Sequence, residues 1–230
     1  MTQELIKYFS PTRLRVLQYL LVNCPIQDYE VGCSVKKMAE DLDLSITAVR
    51  SYLLELEKNN LIVQKEQKKG SGRPARFYSL HENAISLFPK SYSEFSVKLL
   101  NKVVSKYGKK AAKEILVEIG KENAKEIRKR IETEHNINLD EVTTKEKLEL
   151  VMKVFKENQK FPILVKENGD YFLKNHNCLL YDVVQKQPLA CIVDETCLQE
   201  LVGYKAEKIN CLTEGDHYCV YRFDENNIEA

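Results

Sequence analysis

No stretch of this 230-residue chain approaches eighteen consecutive apolar residues, so no membrane span is expected. The opening MTQELIKYFSPTRLR is amphipathic and charged and lacks the apolar core of a signal peptide. A cytoplasmic protein is therefore expected. The net charge is only +1, so any nucleic-acid surface must come from local clustering of basic residues. No short C-x-x-C pair occurs, nor any Ser/His/Asp arrangement, phosphate-cradling loop or paired-carboxylate site, which counts against an enzyme. An odd count of seven cysteines, in a chain expected to be cytoplasmic, argues against a disulfide framework. Cys24 and Cys33 accordingly read as small buried hydrophobes. What remains is a composition 43% hydrophobic and 30% charged, that of a soluble globular protein long enough for two domains.

The N-terminal residues carry helix signals in close succession. Ser10-Pro11 opens a helix in which Leu14, Leu17, Leu20 and Leu21 recur at helical spacing, and Cys24-Pro25 ends it. Ser34 caps a short helix over 35–42, and Asp43-Leu44 turns the chain. Ser45 caps the next helix, with Ile46, Val49, Leu53 and Leu56 as its apolar stripe. A short helix, a tight turn and a helix with a polar far face make a helix-turn-helix. Thr47, Arg50 and Ser51 lie early on that polar face, where a recognition helix meets base edges. Two strands follow, 61–66 and 75–80, around a glycine-bearing turn: the wing of a winged helix. From Leu61 to Tyr78 there are five basic residues (Lys65, Lys68, Lys69, Arg73, Arg76) and one acidic, Glu66. Lys68, Lys69, Arg73 and Arg76 are the expected phosphate contacts.

Two helices are expected next, Ser91 to Tyr107 and Lys109 to Glu134, the second burying Ala112, Ile115, Leu116, Ile119, Ala124, Ile127 and Ile131. Helices of this length suit a dimer interface, and a dimer matches a palindromic operator. The basic run 128–130 complements the helix C-terminal dipole. Thr143-Thr144 caps another helix, and Asn168-Gly169 joins two strands in a hairpin. Asn177 is expected to cap a helix over 178–186, with a further helix from Cys191 and a last hairpin, 205–213 with 218–223.

Five of the seven cysteines fall between 178 and 219: Cys178, Cys191, Cys197, Cys211 and Cys219. Thiolates gathered this way bind soft metals or iron–sulfur clusters, or do redox chemistry. Cys178 and Cys191 each open a helix-like segment, where free N–H groups lower a thiol pKa. Cys197 reads as core packing. The wing phrase Gly72-Arg73-Pro74 leading to Phe77-Tyr78-Ser79-Leu80, then Leu87-Phe88-Pro89 and Tyr92, resembles the SufR-type repressors, iron–sulfur-sensing relatives of the ArsR and DeoR winged-helix groups. Asn177-Cys178 and the ending Gly215-Asp-His-Tyr-Cys-Val-Tyr resemble them too. The resemblance spans most of the chain. It implies an iron–sulfur cluster, 4Fe–4S or 2Fe–2S, on Cys178, Cys191 and Cys219, control of cluster-assembly genes, and a holo form that represses. For the fourth ligand, Cys211 is the thiolate candidate and His217 the nitrogen donor. A four-residue turn at 214–217 would point Cys211 away from Cys219, which favours a non-essential thiol, whereas a three- or five-residue loop would put both on one face.

The expected fold is α+β: a winged-helix DNA-binding domain (1–89), a helical dimerisation region (90–142) and an α+β cysteine-bearing sensor domain (143–230). The expected function is a homodimeric repressor that binds a double-stranded DNA operator under cluster control. Zinc or thiol redox sensing on the same scaffold is one alternative. A C-terminal small-molecule-binding or enzymatic domain is the other.

Overall fold

A computed structural model describes residues 10–24, 32–67 and 74–224. Three of the expected DNA contacts, Lys68, Lys69 and Arg73, lie outside the described residues. The chain is α+β and divides into two compact units, Met1–Lys90 and Ser91–Ala230.

The first unit runs α1 (Pro11–Asn23), β1 (Cys33–Ser34), α2 (Val35–Leu42), α3 (Ile46–Lys58), β2 (Ile62–Gln67) and β3 (Ala75–Leu80). Ser10, Ser34 and Ser45 each accept a hydrogen bond from the backbone N–H three residues on, which fixes the three helix starts. Asp43 takes the left-handed conformation (φ 53°) and turns α2 into α3. Leu17 and Leu20 of α1, Met38 of α2, Leu53 and Leu56 of α3 and Leu80 of β3 fill one core. The sheet order is β1-β3-β2, all antiparallel. This is a winged helix.

Three features depart from the sequence expectation. A short strand not expected from the sequence, β1, precedes α2, and its Cys33 and Ser34 pair with Tyr78 and Phe77. Ile46, placed on the inward stripe of α3, is 45% exposed; it occupies the first helical position, before the helix has turned onto the core. Cys24 and Cys33 are buried but not separate, for a disulfide joins them. Cys24 closes α1 and Cys33 opens β1. Packing of both elements into one core brings their Cα atoms to 6.1 Å, a contact that spacing does not show.

The second unit begins with α4 (Tyr92–His135), broken at Gly108 (φ 86°, ψ 163°) into the two helices that the sequence suggests. After α5 (Thr144–Glu157) come β4 (Pro162–Glu167), β5 (Asp170–Asn175), the single turn α6 (Tyr181–Val184), α7 (Cys191–Val202), β6 (Ala206–Asn210) and β7 (Cys219–Phe223). Thr143 and Glu146 close a reciprocal capping box on α5. Asn168 and Gly169 both have positive φ, and Glu167 faces Asp170 across a two-residue turn. The antiparallel sheet, in the order β4-β5-β7-β6, packs with α4, α5 and α7 around Leu148, Phe155, Leu173, Leu198, Leu201 and Phe223.

The inward face of α4 differs from expectation. Ile115 and Ile119 are 48% and 40% exposed, while Ala112, Leu116, Gly120, Ala124 and Ile131 are buried. Gly120 explains the rotation. A Cβ there would stand 2.7 Å from Thr196 Cβ and 2.8 Å from the Val193 carbonyl, so the small residue lets α4 and α7 approach closely. The basic run 128–130 finds carboxylates rather than the helix end. Arg128 pairs with Glu132 and Asp140, and Arg130 with Glu134 and Glu157.

Candidate functional site

In the winged helix, α3 presents Thr47, Arg50 and Ser51 on its exposed side while Val49, Leu53 and Leu56 face the core. Glu55, on the partly buried flank, is held at 2.8 Å by Arg13 of α1. The exposed N-terminal turns thus carry one cation and two hydroxyls and no carboxylate. Arg76, an expected phosphate contact, is exposed but bonded to Glu66 across the β2–β3 ladder at 3.1 Å. Reaching a phosphate means leaving that carboxylate.

The thiol centre lies in the second unit and is built from the α5–β4 junction, α7 and the last hairpin. Cys178 does not open a helix, because α6 begins only at Tyr181. Asn177 is not a helix cap either. Its side-chain amide donates to the Gln159 carbonyl (2.8 Å) and its backbone N–H to Lys160 O (3.1 Å), which staples Cys178 to the end of α5. Cys191 does begin α7, preceded by a 3-10 turn over Pro188–Ala190.

The last hairpin settles where Cys211 points. The ladder pairs Lys208 with Tyr221 and Asn210 with Val220, so a bulge at Ile209 shifts the register by one. Carried one residue past the last pair, that register sets Cys211 opposite Cys219, whose sulfur accepts from the Leu212 N–H at 3.4 Å. The expectation that Cys211 faces away assumed an unbulged hairpin with a tight turn. The chain instead leaves the ladder at Asn210 and returns at Cys219 through a 3-10 turn, Leu212–Glu214. Cys191, Cys211 and Cys219 are buried in one core, with the partly buried Cys178 packed against it. Among the described residues, no group of three or more His, Cys, Asp or Glu side chains stands ready to hold a metal ion.

Electrostatics at the centre run against the helix-terminus expectation. Burial pushes the Cys191 thiol up to about 12 despite the nearby Lys208 ammonium, and burial likewise raises Cys178. Cys219 is pushed up to about 11, again by burial. For Cys211 burial also raises, but hydrogen bonds from the Thr213 hydroxyl and N–H, with Lys208 beside it, outweigh it and hold the thiol below its usual value. The Leu212 N–H donates to the Cys219 sulfur at 3.4 Å, and the Thr213 hydroxyl lies 3.1 Å from the Cys211 sulfur.

Three participants were not singled out in the sequence. Lys160, buried between α5 and β4, makes a 2.8 Å ion pair with Asp194 of α7 and lies over the Phe155 ring. Lys208 of β6 lies 3.8 Å from the Glu195 carboxylate of α7, and its charge acts on Cys191. Asn175 faces Cys219 across the β5–β7 ladder, is 3% exposed, and its Oδ1 has no hydrogen-bond partner among the described residues. A lysine between Phe155 and Phe161 and an asparagine ending an apolar strand were the available signals. Of the other candidates, His217 is exposed, whereas Cys197 is buried in α7 and lines a separate cavity. That cavity, about 560 Å³, is walled by apolar residues including Leu99, Ile115, Ile119 and Val183, with the Lys160–Asp194 pair at its edge.

No family model matches this chain, and no curated protein matches it. Among solved structures it is similar to two mutant forms of S. aureus MepR, one of them from a multidrug-resistant clinical isolate. Identities are 17% and 16%, the TM-score is 0.31 for each, and the alignments cover 49% of this chain and 76% and 78% of those chains. Similarity at that level carries no argument for function. No helix among the described residues is long and apolar enough to cross a membrane.

Proposed function

We propose that this protein is a DNA-binding transcriptional regulator, a cytoplasmic homodimer whose operator binding is set by an iron–sulfur cluster held by Cys178, Cys191 and Cys219. The observation that carries the reading is a winged helix on the same chain as a unit with five cysteines, four of them buried. In it, Thr47, Arg50 and Ser51 meet base edges, and Lys68, Lys69, Arg73 and Arg76 hold phosphates. Residues 1–89 are the reader, 90–142 supply the dimer contact and 143–230 the sensor. The apolar residues that α4 leaves exposed (Phe95, Leu99, Tyr107, Ile115 and Ile119) support a second copy as partner.

Three features support the cluster reading: thiols are soft ligands, the Leu212 N–H donates to the Cys219 sulfur, and a buried amide oxygen on the residue paired with Cys219 lacks a partner. Cys178, Cys191 and Cys219 would hold the cluster, which would tie the 177–180 segment, α7 and the last hairpin together. The residues themselves do the rest. The Asn177 staple fixes Cys178, Lys208 offsets thiolate charge at Cys191 and Cys211, and the Lys160–Asp194 pair anchors the start of α7. A tie that joins α7, the 177–180 segment and the last hairpin biases one arrangement of this unit over another, and that difference is what DNA affinity reads. Repression by the holo form, and cluster-assembly genes as targets, belong to this proposal.

The test is anaerobic purification with a visible spectrum and iron, sulfide and zinc analysis, followed by DNA binding of wild type and Cys219→Ser. The variant is expected to lose cluster absorbance and operator affinity together. Full operator binding by a cluster-free variant would refute cluster control, and colourless protein holding zinc would move the reading to a zinc sensor. The apolar cavity favours a second reading, a small apolar effector. That reading predicts a ligand co-purifying with protein that takes up neither metal.

A further inference from the structure

We infer that the cavity between α4 and α7 binds a small uncharged molecule with an apolar body and one hydroxyl head, and that the Lys160–Asp194 pair holds the head. This rests on the second reading above, a small apolar effector, and deepens it by naming the chemical class. It does not depend on a cluster.

The cavity lies wholly within the second unit. Its volume, about 560 Å³, falls inside the range of about 300–1,000 Å³ that small-molecule sites occupy. The break of α4 at Gly108 shapes it, because Leu99 from the first half and Ile119 from the second both line it. Asn101 accepts a 2.7 Å hydrogen bond from the Gln187 side chain, which fixes the first half against the segment after α6. Burial is graded across the walls. Leu99, Ile119 and Leu179 are exposed, whereas Leu116, Val193 and Cys197 are buried. The result is a cleft with an open mouth and an apolar floor. Leu99 and Ile119 also belong to the face proposed for a second copy, so an occupant would lie against the dimer contact.

Lys160 is the polar feature of this floor and is only 7% exposed. Its ammonium lies 2.8 Å from Asp194 Oδ1 and 4.3 Å from the Phe155 ring centre, and all three residues line the cavity. The backbone holds Lys160 on both sides. Its N–H donates to the Phe155 carbonyl (2.9 Å) and its carbonyl accepts from the Asn177 N–H (3.1 Å). An ammonium carries three N–H donors. Asp194 Oδ1 takes one, and among the described residues the ammonium has no other hydrogen-bond acceptor and Asp194 Oδ2 no donor. Buried donors left without acceptors are costly. A hydroxyl answers both groups at once, since its oxygen accepts from Lys160 while its hydrogen goes to Asp194 Oδ2.

The same pair sets the charge of the ligand. Its two charges cancel, and Glu126, the one other charged side chain among the described lining residues, is exposed to solvent. A carboxylate head beside Lys160 would also stand beside the Asp194 carboxylate, and an ammonium head beside Asp194 would stand beside Lys160. Like charges that close, and away from water, disfavour both ions. An uncharged head meets neither repulsion.

The test titrates full-length protein near neutral pH with four probes of one chain length: n-octanol, its isomer methyl heptyl ether, octanoate and octylammonium. Calorimetry reads wild type. Leu99→Trp places a single tryptophan at the mouth of a chain that has none, and its emission reports whether binding occurs there. Circular dichroism checks the fold of each variant. Octanol is expected to bind about tenfold more tightly than each of the other three. In Lys160→Met/Asp194→Leu its advantage over the ether is expected to vanish. Octanoate or octylammonium binding as tightly as octanol, or an octanol–ether difference unchanged in the double variant, overturns the assignment of class and leaves the effector reading standing. Binding of none of the four, or binding that leaves the Leu99→Trp emission unmoved, overturns the site. Octanol that binds but leaves affinity for a selected DNA duplex unchanged overturns the effector reading alone. If the double variant does not fold, Asp194→Asn decides instead. It leaves the ammonium uncompensated, so octanoate is expected to overtake octanol, and a continued preference for octanol overturns the proposal.

Discussion

Removing the carboxylate of Asp194 should destabilise the second unit more than any surface ion-pair deletion in it. The Lys160 ammonium lies 2.8 Å from Asp194, and the two side chains are 9% and 23% exposed. Deleting one partner of such a pair leaves a buried charge uncompensated, which costs about 3–5 kcal/mol. Two features lower that figure here. The Phe155 ring stands 4.3 Å from the ammonium and gives back about 1 kcal/mol, and Asp194 is not fully dry. Asp194→Ala is therefore expected to cost about 2–4 kcal/mol. With an m-value of about 2 kcal/mol per molar urea, the midpoint falls by about 1–2 M. Hydrogen exchange of the α7 amides across a urea series reads this unit without interference from the winged helix. The double variant Lys160→Met/Asp194→Leu removes both charges together and should recover most of the loss. A midpoint shift below about 0.3 M for Asp194→Ala, or a double variant as unstable as the single one, would refute the claim that the pair is held dry.

Gly120→Ala forces a methyl group against the Val193 carbonyl and Thr196. It should lower stability by about 1–3 kcal/mol in thermal or urea unfolding, and no loss would mean that α4 and α7 part easily. Hydrogen bonds from the Thr143 hydroxyl and N–H hold the Glu146 carboxyl below its usual range. Its contribution is therefore present above the unfolded-state value and lost as pH falls through the lower folded-state value. The stability deficit of Glu146→Ala should be constant near neutrality and vanish as pH falls below about 4, whereas a deficit persisting in acid would contradict this. Arg50→Ala should lower affinity for a duplex selected from random DNA by about 1–3 kcal/mol and narrow discrimination against a scrambled duplex. Equal weakening on both duplexes would make Arg50 a phosphate contact instead.

The winged helix was legible because its signals are local. Ser10, Ser34 and Ser45 are hydrogen-bonding caps within one turn of the residues they serve, and the three apolar stripes need only helical periodicity. Its errors occur where a residue's role is set by a partner far along the chain. The two-residue strand at Cys33 exists because β3 is there to pair with it, and the Cys24–Cys33 bond exists because α1 and β1 share a core. Burial on α4 was misjudged for a related reason. Ile115 and Ile119 are good core residues by type, but the helix turns Gly120 toward α7, where a Cβ would meet Thr196 and the Val193 carbonyl, and leaves the two isoleucines partly exposed.

At the thiol centre, the sequence shows which atoms are present and hides how they meet. Which face Cys211 takes turns on one bulged residue, Ile209, and no propensity distinguishes a bulge there from a regular ladder. The same bulge removes the reason for treating Cys211 as a bystander. A side-chain period of two means that a single inserted residue exchanges the faces, so an unbulged β6 would aim Cys211 away from Cys219. Lys208 lies just before the bulge and reaches the Glu195 carboxylate of α7 at 3.8 Å. The irregularity is the means by which a short hairpin brings its chemistry to the start of α7.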